Sequence, residues 1–201
     1  MNSKLFKISS VISLIILFFI SGCSSEKIKN NISNTEISNI DSNVLGVLDS
    51  PQEPEIISEY STSFENGTQN RITNITLASV AIDETILQPN EVFSYNDTVG
   101  PTTKARGFKE GKIFINGKDA KGYGGGVCQV SSTLYNAVLL ADLEVVERHP
   151  HSKEVGYVPE DMDAATSYGG KNFKFKNNKT YPIRINSYIH ENSIYVMIEK
   201  G

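Results

Sequence analysis

"GYGGGVCQVSSTLYNAVLLA", Gly122–Ala141, runs three glycines into a cysteine and the cysteine into a stretch of helical period. Val127, Val130, Leu134, Ala137, Val138 and Ala141 recur every three or four residues, which predicts a helix from about Cys128 to Ala141 with one apolar face. A helix start carries unsatisfied N–H groups and the positive end of the macrodipole, both of which favour an anion. Cysteine reacts as its thiolate, so Cys128 stands where that form is favoured. The preceding glycines permit tight or positive-φ backbone and leave room for a substrate. The same position also suits an inert, buried cysteine ahead of a core helix, so the choice turns on what else reaches the thiol.

Two of the three histidines follow at His149 and His151, with Pro150 between them. A helix from Cys128 to Ala141 advances about 20 Å at 1.5 Å per residue. A strand over "LEVVERH", Leu143–His149, returns about 20 Å at about 3.3 Å per residue. An antiparallel return brings both histidines level with Cys128, as a Cys–His pair needs. Residues two apart on a strand share a face, so both are expected to face the thiol, with His151 preferred as the base. The third, orienting group is expected to be Asp163, with Asp161 and Glu160 as substitutes. Cys128, His149, His151 and Asp163 are also competent zinc ligands, but their spacing fits no common structural zinc pattern. No metal and no cofactor is expected.

Outward from this centre the chain reads as α+β, a few helices packed on a mainly antiparallel sheet. "ITNITLASVAIDETILQP" reads as an amphipathic helix with Ile75, Ala78, Ile82 and Ile86 on one side. "QPNEVFSYND" reads as a turn and a short strand. Lys112–Ile115 followed by Asn116-Gly117 is a hairpin signal, with a weak and short return over Asp119–Lys121. "NFKFKN" alternates at period two, and "YPIRINSYIHENSIYVMIEK" gives further strands broken at Asn177-Asn178 and at His190–Ser193.

The N-terminus is a targeting segment. Lys4 and Lys7 precede an apolar run, Val11–Ile20, which is too short to span a bilayer comfortably. It ends in Ile20-Ser21-Gly22-Cys23, the pattern at which bacterial lipoproteins are cut and lipidated, so residues 1–22 are expected to be a signal peptide and Cys23 a lipidated residue. Residues 23–55 are rich in Ser, Asn and charge and read as a tether with a reach of about 30 Å. Residues 56–201 form the folded domain. If Cys23 carries lipid, Cys128 has no partner within the chain, which favours a reactive thiol. The net charge of −4 makes nucleic acid an unlikely partner.

These residues carry a resemblance. "GGGVCQVSSTLYNAVLLADLEVVERHPHS" resembles the signature of VanW-type domains. "ILQPNEVFSYNDTVGP", "ARGFKEG", "YVPEDMDAATSYGG" and "FKFKNNKTYPIRI" resemble the same domain in the same order, over about Ser58 to Ile185. The resemblance implies a role in the bacterial cell envelope, in a family associated with vancomycin resistance. It further implies L,D-transpeptidation of peptidoglycan, 3→3 crosslinks forming through a thioester on Cys128. Peptidoglycan stem peptides would be the partners, and the location extracytoplasmic, lipid-anchored to the membrane. Under that reading Gly126, Gln129, Arg106, Arg71 and Tyr168 are candidate substrate contacts. The helix-start N–H groups, with Gln129, would hold an oxyanion, and Arg71 or Arg106 a stem carboxylate. The alternatives are a stem-peptide endopeptidase or amidase, and a non-catalytic envelope-binding module.

Overall fold

The computed structural model describes residues 54–115 and 118–201. The leader, Cys23, the tether up to residue 53 and the Asn116-Gly117 turn lie outside the described residues. The described chain runs β1 (Ile56–Ser63), α1 (Gln69–Ile82), β2 (Thr85–Leu87), β3 (Val92–Ser94), α2 (Tyr95–Val99), β4 (Glu110–Ile115), β5 (Lys118–Tyr123), α3 (Val127–Leu140), β6 (Glu144–Glu147), β7 (Lys174–Lys176), β8 (Ile183–His190) and β9 (Ser193–Lys200). Every strand pairing is antiparallel. The expected α+β class is what the chain adopts.

The main sheet has the order β1-β9-β8-β2. Period two sends Ile183, Ile185 and Ser187 of β8 and Ile194, Val196 and Ile198 of β9 to one face, where all are buried. Helices α1 and α3 cover that face. Their stripes, Ile75, Ala78 and Ile82 on one and Val130, Leu134, Ala137 and Val138 on the other, are fully buried. Buried hydroxyls pin the layers together: Ser58 Oγ donates to the Ala137 carbonyl at 2.7 Å, Thr62 and Thr133 pair at 2.8 Å, and Ser79 and Ser187 at 2.7 Å. Because the Ala137 carbonyl also accepts from the Ala141 N–H, Ser58→Ala removes one bond without orphaning its acceptor. A loss of about 1 kcal/mol is expected, read as a lower urea midpoint at unchanged slope.

A second sheet, β3-β7-β6, packs Phe93 against Phe175 with ring centroids 5.1 Å apart. The long connection 148–173 leaves from β6 and returns to β7, and it carries half of the site described below.

Three local expectations are corrected. Ile86 is not on the α1 face. The helix stops at its Asp83 cap, Glu84 takes φ 58°, and Ile86 is in β2, paired with Arg184 and 46 % exposed. The return arm of the hairpin is not short: β5 matches β4 residue for residue from Lys118↔Ile115 to Tyr123↔Glu110. Its side chains have little strand preference, and the backbone ladder with the Lys112–Asp119 ion pair at 2.9 Å holds it. Strand β6 ends at Glu147, two residues before His149.

Candidate active site

Cys128 is the second residue of α3, half-buried on the wall of a cavity of about 620 Å³. Gly126 caps the helix with φ 113°, a left-handed backbone that disfavours any side chain. A Cβ there would stand 3.0 Å from both Arg71 Cγ and Ile75 Cγ1, and one on Gly125 would stand 2.5 Å from the Lys112 carbonyl oxygen. The space these two glycines leave is therefore taken up by α1 and β4, which close around the helix start. The N–H groups of Val127 and Gln129 donate to the Gly124 and Gly126 carbonyls at 3.0 and 2.9 Å. The Cys128 N–H between them donates to no carbonyl of the described residues.

The connection after β6 folds back across the start of α3. Ser131 Oγ donates to the Ala164 carbonyl at 2.6 Å, Ser132 Oγ accepts from the Ala164 N–H at 2.9 Å, and the Asn136 amide donates to Met162. The polar face of α3 thus fastens residues 162–166 beside the thiol. Cys128 Sγ lies 3.4 Å from the Thr166 carbonyl oxygen and 3.7 Å from its hydroxyl.

His151 lines the same cavity as Cys128, and its ring acts on the thiol. Its Nδ1 bonds Asp163 Oδ2, and its backbone N–H donates to the same oxygen at 2.6 Å. That leaves Nε2 for the sulfur. Arg148 holds the other side of Asp163, donating to Oδ1 at 2.8 Å and to the Asp163 and Asp161 carbonyls at 2.7 and 2.8 Å. Burial pushes the Cys128 thiol up, but the hydrogen bond and charge of His151, with smaller help from Thr166, outweigh it and hold the thiol below its ordinary value. Burial likewise lowers His151, but Cys128 and Asp163 outweigh it and raise the imidazole. Asp163 is raised by burial and held below the usual carboxylate range by the His151 N–H and ring and by Arg148. All three shifts favour a thiolate–imidazolium pair backed by a carboxylate.

The other expected residues divide. His149 does not face the thiol: its Nε2 sits 3.0 Å from Glu147 Oε1, and its carbonyl accepts from Ala165. The strand has ended by then, so the shared-face rule no longer links His149 to His151. Arg106 lies outside the cavity, donating to the Val99 and Pro101 carbonyls in its own loop. Arg71 lines the cavity, with Nη2 donating to Gln129 Oε1 at 2.6 Å. Gln129 is fully buried and its amide donates to Thr62 and Ser63, so it holds Arg71 and has no donor to spare for an oxyanion. Tyr168 stands at the rim, 60 % exposed. Asp161 contributes only its carbonyl. Among the described residues no group of His, Cys, Asp and Glu has the geometry to hold a metal ion.

The sequence reading assigned no role to Tyr157, Thr166 or Arg148. Tyr157 lines the cavity, and burial first, then the charge of Cys128, keeps its phenol protonated far above the ordinary range. Tyr157 and Thr166 lie within "YVPEDMDAATSYGG", so their neighbourhood was visible but their direction was not.

A family model described as VanW like protein matches residues 70–199. The chain belongs to the VanW family. It is 39 % identical over 159 residues to the uncharacterized protein YoaR of Bacillus subtilis (strain 168), covering 79 % of this chain and 51 % of that protein. It is 29 % identical over 126 residues to the vancomycin B-type resistance protein VanW of Enterococcus faecalis (strain ATCC 700802 / V583), covering 57 % of this chain and 44 % of that protein. The chain therefore spans about half the length of these relatives. No solved structure shows a significant match. The VanW match reaches Glu199, beyond the Ile185 at which the motif resemblance stops, and takes in both β8 and β9. No described helix is long and apolar enough to cross a membrane.

Proposed function

We propose that this VanW-family chain is a cell-envelope cysteine acyltransferase, an L,D-transpeptidase that forms 3→3 crosslinks in peptidoglycan. The observation that carries the reading is that Cys128 and His151 share the wall of a cavity large enough for a peptide, with Asp163 bonded behind the imidazole. The Cys128 thiolate attacks the carbonyl of the third residue of a donor stem. The Cys128 N–H, which donates to no carbonyl of the described residues, donates to the oxyanion that forms. The C–N bond to the terminal amino acid breaks, its nitrogen takes the proton from His151, and a thioester remains. The side-chain amine of a second stem gives a proton to His151 and attacks the thioester; the C–S bond breaks and the thiolate is restored. The supporting case for an extracytoplasmic, lipid-anchored location is the Lys4/Lys7 leader and the Ile20–Cys23 cleavage pattern.

The test is mass spectrometry of disaccharide-tetrapeptide muropeptides incubated with the purified chain. A crosslinked dimer, one released terminal amino acid per crosslink and a transient adduct on Cys128 are expected. A shortened monomer with no dimer would make water the acceptor and the protein a peptidase. Unchanged muropeptides and an unmodified thiol would remove the catalytic reading.

A further inference from the structure

The cavity around Cys128 has a charge pattern opposite to that of the molecule. The chain holds 23 acidic against 19 basic residues. Among the described residues the cavity wall carries Arg71, Lys112 and Lys171 besides His151, and no Asp or Glu. Two of these cations have partners: Lys112 pairs with Asp119 at 2.9 Å, and Lys171 Nζ donates to the Pro150 carbonyl at 3.0 Å. Arg71 is in no ion pair among the described residues.

Arg71 is nonetheless fixed. One guanidinium nitrogen donates to Gln129, which is 1 % exposed and anchored to β1 through Thr62 and Ser63. The guanidinium carbon stands 5.9 Å from the centre of the Tyr157 ring, and the arginine stem packs where Gly126 lacks a side chain. Tyr157 lines the same cavity as Cys128 and Arg71. A guanidinium held by one arm, with its remaining donors open to a cavity where no described residue brings a carboxylate, matches the forked geometry of a carboxylate.

We propose that Arg71, positioned by Gln129, is a carboxylate-reading subsite, and that the acyl donors taken by Cys128 carry a free carboxylate beside the carbonyl under attack. The donor class rests on the acyl-transfer reading above. The subsite does not, because any anion that reaches the thiol should report it.

The first experiment alkylates Cys128 in the full chain with iodoacetate and with iodoacetamide, which displace the same iodide and differ in charge. Relative to the same ratio for glutathione, wild type is expected to prefer iodoacetate by about 10-fold or more, as a charge-assisted contact gives. Arg71→Gln should bring the ratio to that of glutathione, and Arg71→Lys, which keeps the charge without the fork, should retain part of it. In wild type alone, N-acetyl-D-alanine should protect Cys128 from iodoacetamide and N-acetyl-D-alaninamide should not. A wild-type ratio equal to that of glutathione, or an equal loss in Lys112→Ala, would overturn the assignment.

The second experiment compares muropeptide donors amidated at the terminal carboxylate with donors amidated at the side chain of the attacked residue. Loss confined to one of them names the source of the carboxylate, and no loss with either overturns the donor class. An iodoacetate preference without acyl transfer keeps the subsite and removes the transpeptidase. Acyl transfer indifferent to amidation keeps the transpeptidase and removes the donor class.

Discussion

His151→Ala should raise the Cys128 pKa above that of an ordinary thiol and slow its alkylation by iodoacetamide at pH 7 by ~10- to 100-fold, since each unit of pKa is a tenfold change in thiolate. Burial is the largest influence on the thiol and acts upward; the hydrogen bond and charge of His151 are what reverse it. Without the imidazole only the weaker contacts with Thr166 still act downward. In wild type the rate should therefore hold well below the pH at which a free cysteine loses its reactivity. In the variant it should rise only above that pH. His149→Ala is the matched control: its ring is engaged with Glu147, and the alkylation profile should not move. Equal profiles for wild type and His151→Ala would remove the ion pair, and with it the main argument for a nucleophile.

The parts of the site written in local periodicity were legible from the sequence. Helix α3 announced itself because Val127 to Ala141 keep one apolar stripe, and the stripe is buried along its whole length. A strand returning from α3 to the helix start makes His149 and His151 the expected partners of Cys128, and Asp163 enters only as the third group that such a pair needs. What was not legible depends on contacts with no period. The direction of His151 against His149 is set after β6 has ended, by Asp163, which holds both the ring and the backbone N–H of His151. Asp163 is in turn placed by Ser131, Ser132 and Asn136, polar residues on a helix whose apolar stripe drew the reading. Gln129 looked like a donor facing substrate because it follows the cysteine. One helical step, about 100°, turns its amide away from the thiol and into the layer between α3 and β1, where it holds Arg71. The β5 arm was undervalued for a related reason: Lys, Asp and Gly are poor strand formers alone, yet they lose little when the partner strand supplies the ladder.

Asp163→Asn should lower acyl-transfer kcat/KM by about 100-fold or more on whatever donor the site accepts, and should change how stability depends on pH. Asparagine keeps the size, but its single side-chain oxygen can accept from Arg148 or from the His151 N–H and not from both, because the two bond different oxygens of Asp163. It loses the charge that favours the imidazolium, and its amide turned toward Nδ1 stabilises the wrong tautomer for a base that must use Nε2. The stability effect has a definite sign. Asp163 has a folded pKa below its unfolded value, so its contribution is fully present above the ordinary carboxylate pKa of about 3.9 and is lost as pH falls through the folded value. His151 has a folded pKa above its unfolded value, so its share is present below about pH 6.5 and is lost as pH rises through the folded value. The wild-type advantage over Asp163→Asn should thus be smallest in strong acid and largest, about 1.5–3 kcal/mol, from about pH 4 to the folded pKa of His151. Above that it declines to what Arg148 and the His151 N–H still give. Urea midpoints of both proteins across pH 2.5–9, a range set by these reference values, measure the difference directly. A constant gap over that range would mean that Asp163 acts by size and hydrogen bonding alone. The thiolate would then owe its stability to His151 without a carboxylate behind it.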